Sequence, residues 1–198
     1  MSLQRFAVFI SGRGSNLKAI LDHWGRQDPG VYVGRSVPAL VISNRADAAG
    51  LQFAHEAGIP HVVVDHTAYE RRELFDEALM ACLDDHDISW VILAGFMRVL
   101  SERFVDRYDG HILNTHPSLL PSFPGRDAVD QALAAGVKIS GCTVHLVDQG
   151  VDTGPIVAQA AVPVHPDDDV DGLSDRIRAA EHHLYPRVIA QAIAGGLP

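Results

Sequence analysis

Residues 5–21 read RFAVFISGRGSNLKAIL: an apolar run, a glycine loop and the start of a helical pattern in immediate succession. Residues 5–10 are apolar without alternation, as a strand buried on both faces requires. The loop at 11–16 leads into a helix from Leu17, with Ser15 or Asn16 as its expected cap. Together these make a cradle for an anion, because backbone amides and the positive end of the helix dipole both face outward. A dinucleotide fingerprint needs a further glycine near position 17, which is leucine, and the Gly-Lys-Ser/Thr of a Walker loop is missing. The pattern therefore suits a single terminal phosphate.

Outward from this unit, strands and helices alternate. Strands are expected at 37–42, 61–64, 90–94, 111–113, 139–147 and 155–164. Helices are expected at 45–57 (closed by Gly58), 67–85, after Ser101, at 127–135 (stopped by Gly136) and at 173–194. In the helix at 67–85 the buried face should carry Leu74, Ala78, Leu79 and Leu83. The last helix should present Ile177, Leu184, Val188 and Ile189, with Pro186 kinking or dividing it. This alternation predicts an α/β fold, a mainly parallel sheet flanked by helices, formed by one domain over residues 1–198.

Composition narrows the function. The 198 residues are 47% hydrophobic, enough for a substantial core, and no apolar run approaches the roughly 20 residues needed to span a bilayer. The N-terminus lacks the pattern of a secretory signal, so a cytoplasmic location is expected. A net charge of −9 argues against a nucleic-acid surface. Two cysteines make no disulfide framework, and the adjacent His182 and His183 point about 100° apart on a helix, so no metal site is expected.

The chemistry concentrates in residues 110–125, GHILNTHPSLLPSFPG. A short strand ends in Asn114, Thr115 and His116, and Pro117 terminates regular structure. Residues two apart in extended backbone share a side, so the Asn114 amide and His116 imidazole converge, as stabilisation of a developing oxyanion requires. In a parallel sheet, the loops after the strands at 5–10, 90–94 and 111–113 open on one edge, where α/β proteins bind ligands. That brings the cradle (Gly12, Gly14, Ser15, Asn16), the segment Met97, Arg98, Val99 and Leu100, and Asn114 with His116 together. Residues 96–100 could be core, or could wall a flat aromatic ligand. The acidic loop 148–154 reaches the same edge if its strand lies beside the one ending in Asn114. A carboxylate there would orient the imidazole. Asp152 is preferred to Asp148, though spacing alone does not separate them.

The motifs SGRGSN, LAGFMRVL, NTHPSLLPSFPG, GCTVHLVDQGVDTGPI and AAEHHLYP occur in the order seen in the glycinamide ribonucleotide formyltransferase family, and the chain resembles that family over essentially its whole length. The resemblance implies a formyltransferase-type Rossmann-like fold. It also implies transfer of a formyl group from 10-formyltetrahydrofolate, as co-substrate, to the amine of 5′-phosphoribosylglycinamide in purine biosynthesis. By the same resemblance Asn114, His116 and Asp152 are catalytic. Gly14, Ser15 and Asn16 hold the phosphate, and Glu181 contacts the glycinamide side. Arg72, Met97, Arg98, Val99, Leu100 and Asn114 meet the folate. Arg178 and Arg13 occupy positions that vary among relatives. The implied partners are the two small molecules, without metal, nucleic acid or membrane, and a homodimer is compatible with the family. The nearest alternative is a formyltetrahydrofolate hydrolase with the same three catalytic residues. It would be expected to carry an N-terminal regulatory domain, whereas this sequence starts at the first strand.

Overall fold

The N-terminal apolar run lies at the centre of a seven-stranded sheet. The structure, a computed structural model, describes residues 3–25 and 36–196; the polar stretch 23–36 falls mostly outside the described residues. Strand β1 (Gln4–Ile10) pairs in parallel with β2 (Ser36–Ser43) on one side and β4 (Trp90–Leu93) on the other. With β3 (His61–Val63), β5 (Ile112–His116), β6 (Ile139–Leu146) and β7 (Ile156–Pro163), the order is β3-β2-β1-β4-β5-β6-β7. The first five strands are parallel, while β6 and β7 are antiparallel to their neighbours. The chain leaves β1 toward β2 and β3, then returns to β1's other side with β4. The strand order therefore reverses between β1 and β4, and a crevice at the carboxyl ends of β4 and β5 lies beside that switch point.

Two layers of helices cover the sheet, and β1 shows why. Phe6, Val8 and Ile10 face one layer, Ala7 and Phe9 the other, and all five are fully buried. On the first face, α1 (Ser15–Gly25) contributes Leu17 and Ile20, α2 (Leu51–Glu56) contributes Ala54, and α6 (Val170–Ile193) contributes Tyr185, Val188 and Ile189. On the second, α3 (Arg72–Asp85) supplies Phe75, Leu79 and Leu83 and α4 (Glu102–Arg107) supplies Phe104 and Val105. Helix α5 (Ala128–Ala134) packs Val129 against Cys142, Val162 and Ile177. Each such Leu, Ile, Val or Phe contributes about 1.5–3 kcal/mol on burial.

Several boundaries differ from the sequence expectation. Helix α1 begins at Ser15, and Lys18 N donates to Gly14 O, so Gly14 takes the capping position in place of Ser15 or Asn16. Only glycine fits there: Gly14 has φ +73°, and an added Cβ would lie 2.5 Å from the Gly50 Cα. The same close approach, with Gly50 N donating to Gly12 O, holds residues 45–50 as turns and confines the expected helix at 45–57 to Leu51–Glu56. The helix at 67–85 starts only at Arg72, because Asp65 closes a separate 3₁₀ turn at His66–Ala68 by accepting from Thr67 N. The register of its buried face follows the observed start: Phe75, Asp76, Leu79, Met80 and Leu83 are inside, while Leu74 is 38% exposed. Ser101 caps α4 as expected, accepting from Phe104 N. Helix α6 is one element of 24 residues that is not divided at Pro186. Buried side chains on both sides of the proline (Glu181 and Tyr185 before it, Val188 and Ile189 after) give the packing that outweighs the lost backbone bond.

Tyr185, fully buried, directs its hydroxyl at two strand carbonyls, Leu93 O at 3.0 Å and Leu113 O at 2.9 Å. It thereby ties α6 to β4 and β5, the strands that lead into the crevice. Replacing Tyr185→Phe should destabilise the protein by about 1–3 kcal/mol, the cost of leaving buried carbonyls without their donor. Urea unfolding should show a lower midpoint with an unchanged slope; an unchanged midpoint would contradict this role.

Candidate active site

Strand β5 divides its side chains between the two faces of the sheet. Leu113 packs on the α6 side, and Thr115 donates there to the buried Glu181 carboxylate at 3.0 Å. Ile112 packs on the opposite side, which Asn114 and His116 share by alternation. Antiparallel pairing sets His145 across from Asn114 and Thr143 across from His116. The Asn114 Nδ2 lies 3.1 Å from His145 Nε2. Thr143 fastens the loop after β5: its hydroxyl donates to Ser118 O and accepts from Leu120 N and Gln159 Nε2. That loop returns Phe123 O to within 2.8 Å of His116 Nε2 and places the Gly125 N–H beside Asp152.

Asp152 arrives by a different route from the one the sequence suggested. Because β6 runs antiparallel to β5, its carboxyl end lies beside the start of β5, where Val147 N donates to Ile112 O. The loop 148–154 folds back from there, with Gly154 packed so tightly on Leu146 O that a Cβ would come within 1.9 Å. Asp152, at φ 56°, then meets both imidazoles: Oδ2 is 3.2 Å from His116 Nδ1 and Oδ1 is 3.5 Å from His145 Nε2. Oδ2 also accepts from Gly125 N at 2.8 Å. Asp148 instead shapes the loop, accepting from Gly150 N and Thr153 Oγ1. Geometry thus separates two acids that spacing did not.

The electrostatics follow from these contacts. Burial favours the protonated Asp152 carboxyl, but hydrogen bonds from His145 and Gly125 and the charge of the two imidazoles outweigh it. The carboxyl is therefore held below the ordinary range. His116 presents both ring nitrogens to oxygen acceptors, Asp152 and Phe123 O, an arrangement satisfied in full only by a ring carrying two N–H groups. His145 Nδ1 faces Leu146 O, so a proton on its Nε2 goes to Asp152, whereas a bare Nε2 accepts from Asn114. An amide nitrogen carries two hydrogens, so Asn114 can serve His145 and still offer one N–H outward. Cys142 is no competitor as nucleophile, since burial pushes its thiol up to about 12.

A cavity of about 700 Å³ opens over this constellation, lined by Met97, Arg98, Val99 and Leu100 together with Asn114, His116, His145 and Asp152. Met97 and Val99 are 75% and 55% exposed, apolar surface left uncovered inside a polar rim. On the other face of β5, Glu181 accepts from Asn16 Nδ2 and Thr115 Oγ1, and burial pushes its carboxyl up. Gly14, Ser15 and Asn16 lie at the start of α1, and Asn16 Oδ1 is buried without a partner among the described residues. Arg72 is not brought into the cavity: it is exposed at the first turn of α3. Arg178 pairs with Asp175, and Arg13 lines a second groove between α1 and α6 with Lys18, His183 and Arg187. Sequence reasoning missed His145 and Thr115. Alternation in residues 139–147 carried a signal for His145 only once β6 was known to pair with β5.

Among the described residues no helix is long and apolar enough to cross a membrane, and no cluster of three metal-ligating side chains occurs.

Residues 4–189 match the family model described as formyl transferase. The chain is 43% identical to the phosphoribosylglycinamide formyltransferase of Escherichia coli (strain K12), covering 96% of this chain and 87% of that protein. It is 49% identical to the trifunctional purine biosynthetic protein adenosine-3 of Drosophila melanogaster, covering 97% of this chain but only 14% of that much longer protein. Its structure superposes with a TM-score of 0.91 on glycinamide ribonucleotide transformylase 1 from Symbiobacterium toebii, at 47% identity, covering 98% of this chain and 89% of that one. With nearly its whole length matched by one family model, and with relatives of comparable length at this identity, the chain belongs to the formyl transferase family.

Proposed function

We propose that this chain transfers the formyl group of 10-formyltetrahydrofolate to the amine of 5′-phosphoribosylglycinamide, giving the N-formyl product and tetrahydrofolate in purine biosynthesis. The observation that carries the reading is the convergence of Asn114, His116, His145 and Asp152 at the end of a cavity with an exposed apolar wall. The folate heterocycle lies along Met97–Leu100, with backbone groups of that segment as its hydrogen-bonding partners. The phosphate sits on the backbone amides of Gly14, Ser15 and Asn16 at the amino end of α1. Between the two, Glu181 and the unpaired Asn16 Oδ1 receive the polar groups of the glycinamide side. Arg72 is assigned to the folate by the resemblance alone, and its exposed position outside the cavity leaves it to a part of that ligand reaching beyond the cavity.

In the reaction the neutral amine attacks the formyl carbon. A nitrogen–carbon bond forms, and the carbonyl oxygen becomes an oxyanion in a tetrahedral species. Asn114 donates its outward N–H to that oxygen. His116 adds a second donor when its Nε2–H exchanges Phe123 O for the oxyanion. Asp152 holds the imidazolium in place and, as an ionised carboxylate, is matched to its charge. Collapse breaks the bond to the folate nitrogen, and the proton lost by the amine moves to that leaving nitrogen. The expected setting is the cytoplasm.

A formyl-transfer assay following deformylated folate, with and without phosphoribosylglycinamide, tests the reading. Turnover should require the phosphorylated acceptor; equal turnover in its absence would make the protein a hydrolase. His116→Ala and Asn114→Ala should each lower kcat by about 10²–10³, as loss of one oxyanion donor does elsewhere. Asn16→Ala, which keeps the backbone amide and removes the side chain placed at the glycinamide side, should raise KM for the phosphorylated substrate far more than for the folate, and equal effects on both would contradict that placement.

The depressed Asp152 carboxyl makes a separate prediction for stability. Its contribution is complete above the unfolded-chain value of about 3.9 and is lost as pH falls through the lower folded value. The stability difference between the wild type and Asp152→Asn should close in acid, as pH falls through the folded carboxyl's value. A difference independent of pH would mean that the carboxylate's charge contributes nothing.

A further inference from the structure

Across the carboxyl ends of three adjacent parallel strands runs a row of hydrogen-bonded groups, built on two buried polar side chains, that catalysis does not use. Ser11 follows β1, Asn44 follows β2, and Gly95 and Met97 follow β4. Ser11 is 8% exposed and Asn44 2%. Met97 N donates to Ser11 Oγ at 2.8 Å, Ser11 Oγ donates to Asn44 Oδ1 at 2.6 Å, and Ser11 N donates to Gly95 O at 3.2 Å. Asn44 Nδ2 continues the row to His66 Nδ1 at 3.2 Å. The directions are forced. A hydroxyl has one hydrogen, and Asn44 Oδ1 can only accept, so that hydrogen goes to Asn44 and a lone pair is left to receive the Met97 N–H.

The arrangement matters because of what lies on either side of Ser11. One residue later, Gly12 O accepts from Gly50 N, and the loop proceeds to Gly14, Ser15 and Asn16. On the other side, Met97 begins the exposed wall of the cavity, its side chain 75% open while its amide is fixed by Ser11. The Ser11 hydroxyl, together with the Ser11 N–H on Gly95 O, therefore sets the position of the wall relative to the cradle, and it is the only side-chain part of that tie among the described residues. We infer that Ser11 is a positioning residue that couples the two substrate sites, so that occupation of the phosphate cradle tightens binding along Met97–Leu100 and the reverse. By reciprocity, each ligand must raise the affinity of the other by the same factor. The inference rests on the assignment of these segments to phosphoribosylglycinamide and folate made above.

The test is a calorimetric titration of tetrahydrofolate into the full-length protein with and without saturating phosphoribosylglycinamide, in the wild type, Ser11→Ala and Ser11→Thr. The wild type should bind tetrahydrofolate about fivefold or more tightly in the presence of the second ligand. In Ser11→Ala that factor should fall toward one while phosphoribosylglycinamide alone still binds, and Ser11→Thr, which keeps the hydroxyl, should restore it. A merely structural serine would lower thermal stability in Ser11→Ala and leave the coupling factor unchanged, which would overturn the inference. Absence of coupling in the wild type would overturn it whatever the variants do. Failure of the wild type to transfer formyl to phosphoribosylglycinamide would instead remove the functional reading, so the two failures are distinguishable.

Discussion

The site depends on one carboxylate held between two imidazoles. Asp152 lies 3.2 Å from His116 Nδ1 and 3.5 Å from His145 Nε2, and it takes the Gly125 N–H as well. Those contacts join β5, β6, the loop after β5 and the loop after β6, adding to the bonds that Thr143 makes with the loop after β5. Opposite charges at such separations in a largely dehydrated setting attract far more strongly than at a surface. The carboxylate is 12% exposed, His116 6% and His145 2%. Burial by itself would neutralise the acid. Its hydrogen bonds keep it charged, and the imidazoles are positioned as a consequence.

The second constraint is the hand-over between the faces of the sheet. Strand β5 sends Thr115 toward Glu181 and α6 while Asn114 and His116 face the cavity on the other side. A ligand anchored at the start of α1 and a ligand lying along Met97–Leu100 therefore approach the carboxyl end of one strand from two directions. Gly14 shapes the loop before α1, where its φ of +73° and its contact with Gly50 exclude any side chain. Tyr185 fixes the strand itself, reaching from α6 to the carbonyls of Leu93 and Leu113. Under the proposed function, substrate placement is set by buried backbone tethers, with the charged groups arranged upon them.

Much of this was legible in the sequence, for identifiable reasons. Residues 5–10 could be assigned to a buried strand because an unbroken apolar run suits a strand covered on both faces. Asn114 and His116 could be paired because two residues of extended chain return to one side. Contacts set by tertiary packing were less visible. The late start of α3 depends on Asp65 closing a turn, and the shortness of α2 on Gly50 meeting Gly12 and Gly14. Pro186 reads as a helix breaker until the packing on either side of it is known. The partnership of His145 with Asn114 could not be seen until β6 proved antiparallel, and the same reversal explains why Asp152 reaches His116 by a folded-back loop. Local pattern specified the elements, and pairing direction specified which of their side chains meet.

The most direct measurement is a crystal structure of the protein with phosphoribosylglycinamide and a non-transferable 10-formyltetrahydrofolate analogue both bound. It should show the carbonyl oxygen within about 3 Å of Asn114 Nδ2, His116 Nε2 turned from Phe123 O to that oxygen, and the His116–Asp152 contact intact. A carbonyl located away from Asn114 and His116, or an Asp152 side chain withdrawn from His116 while both ligands are in place, would contradict the account.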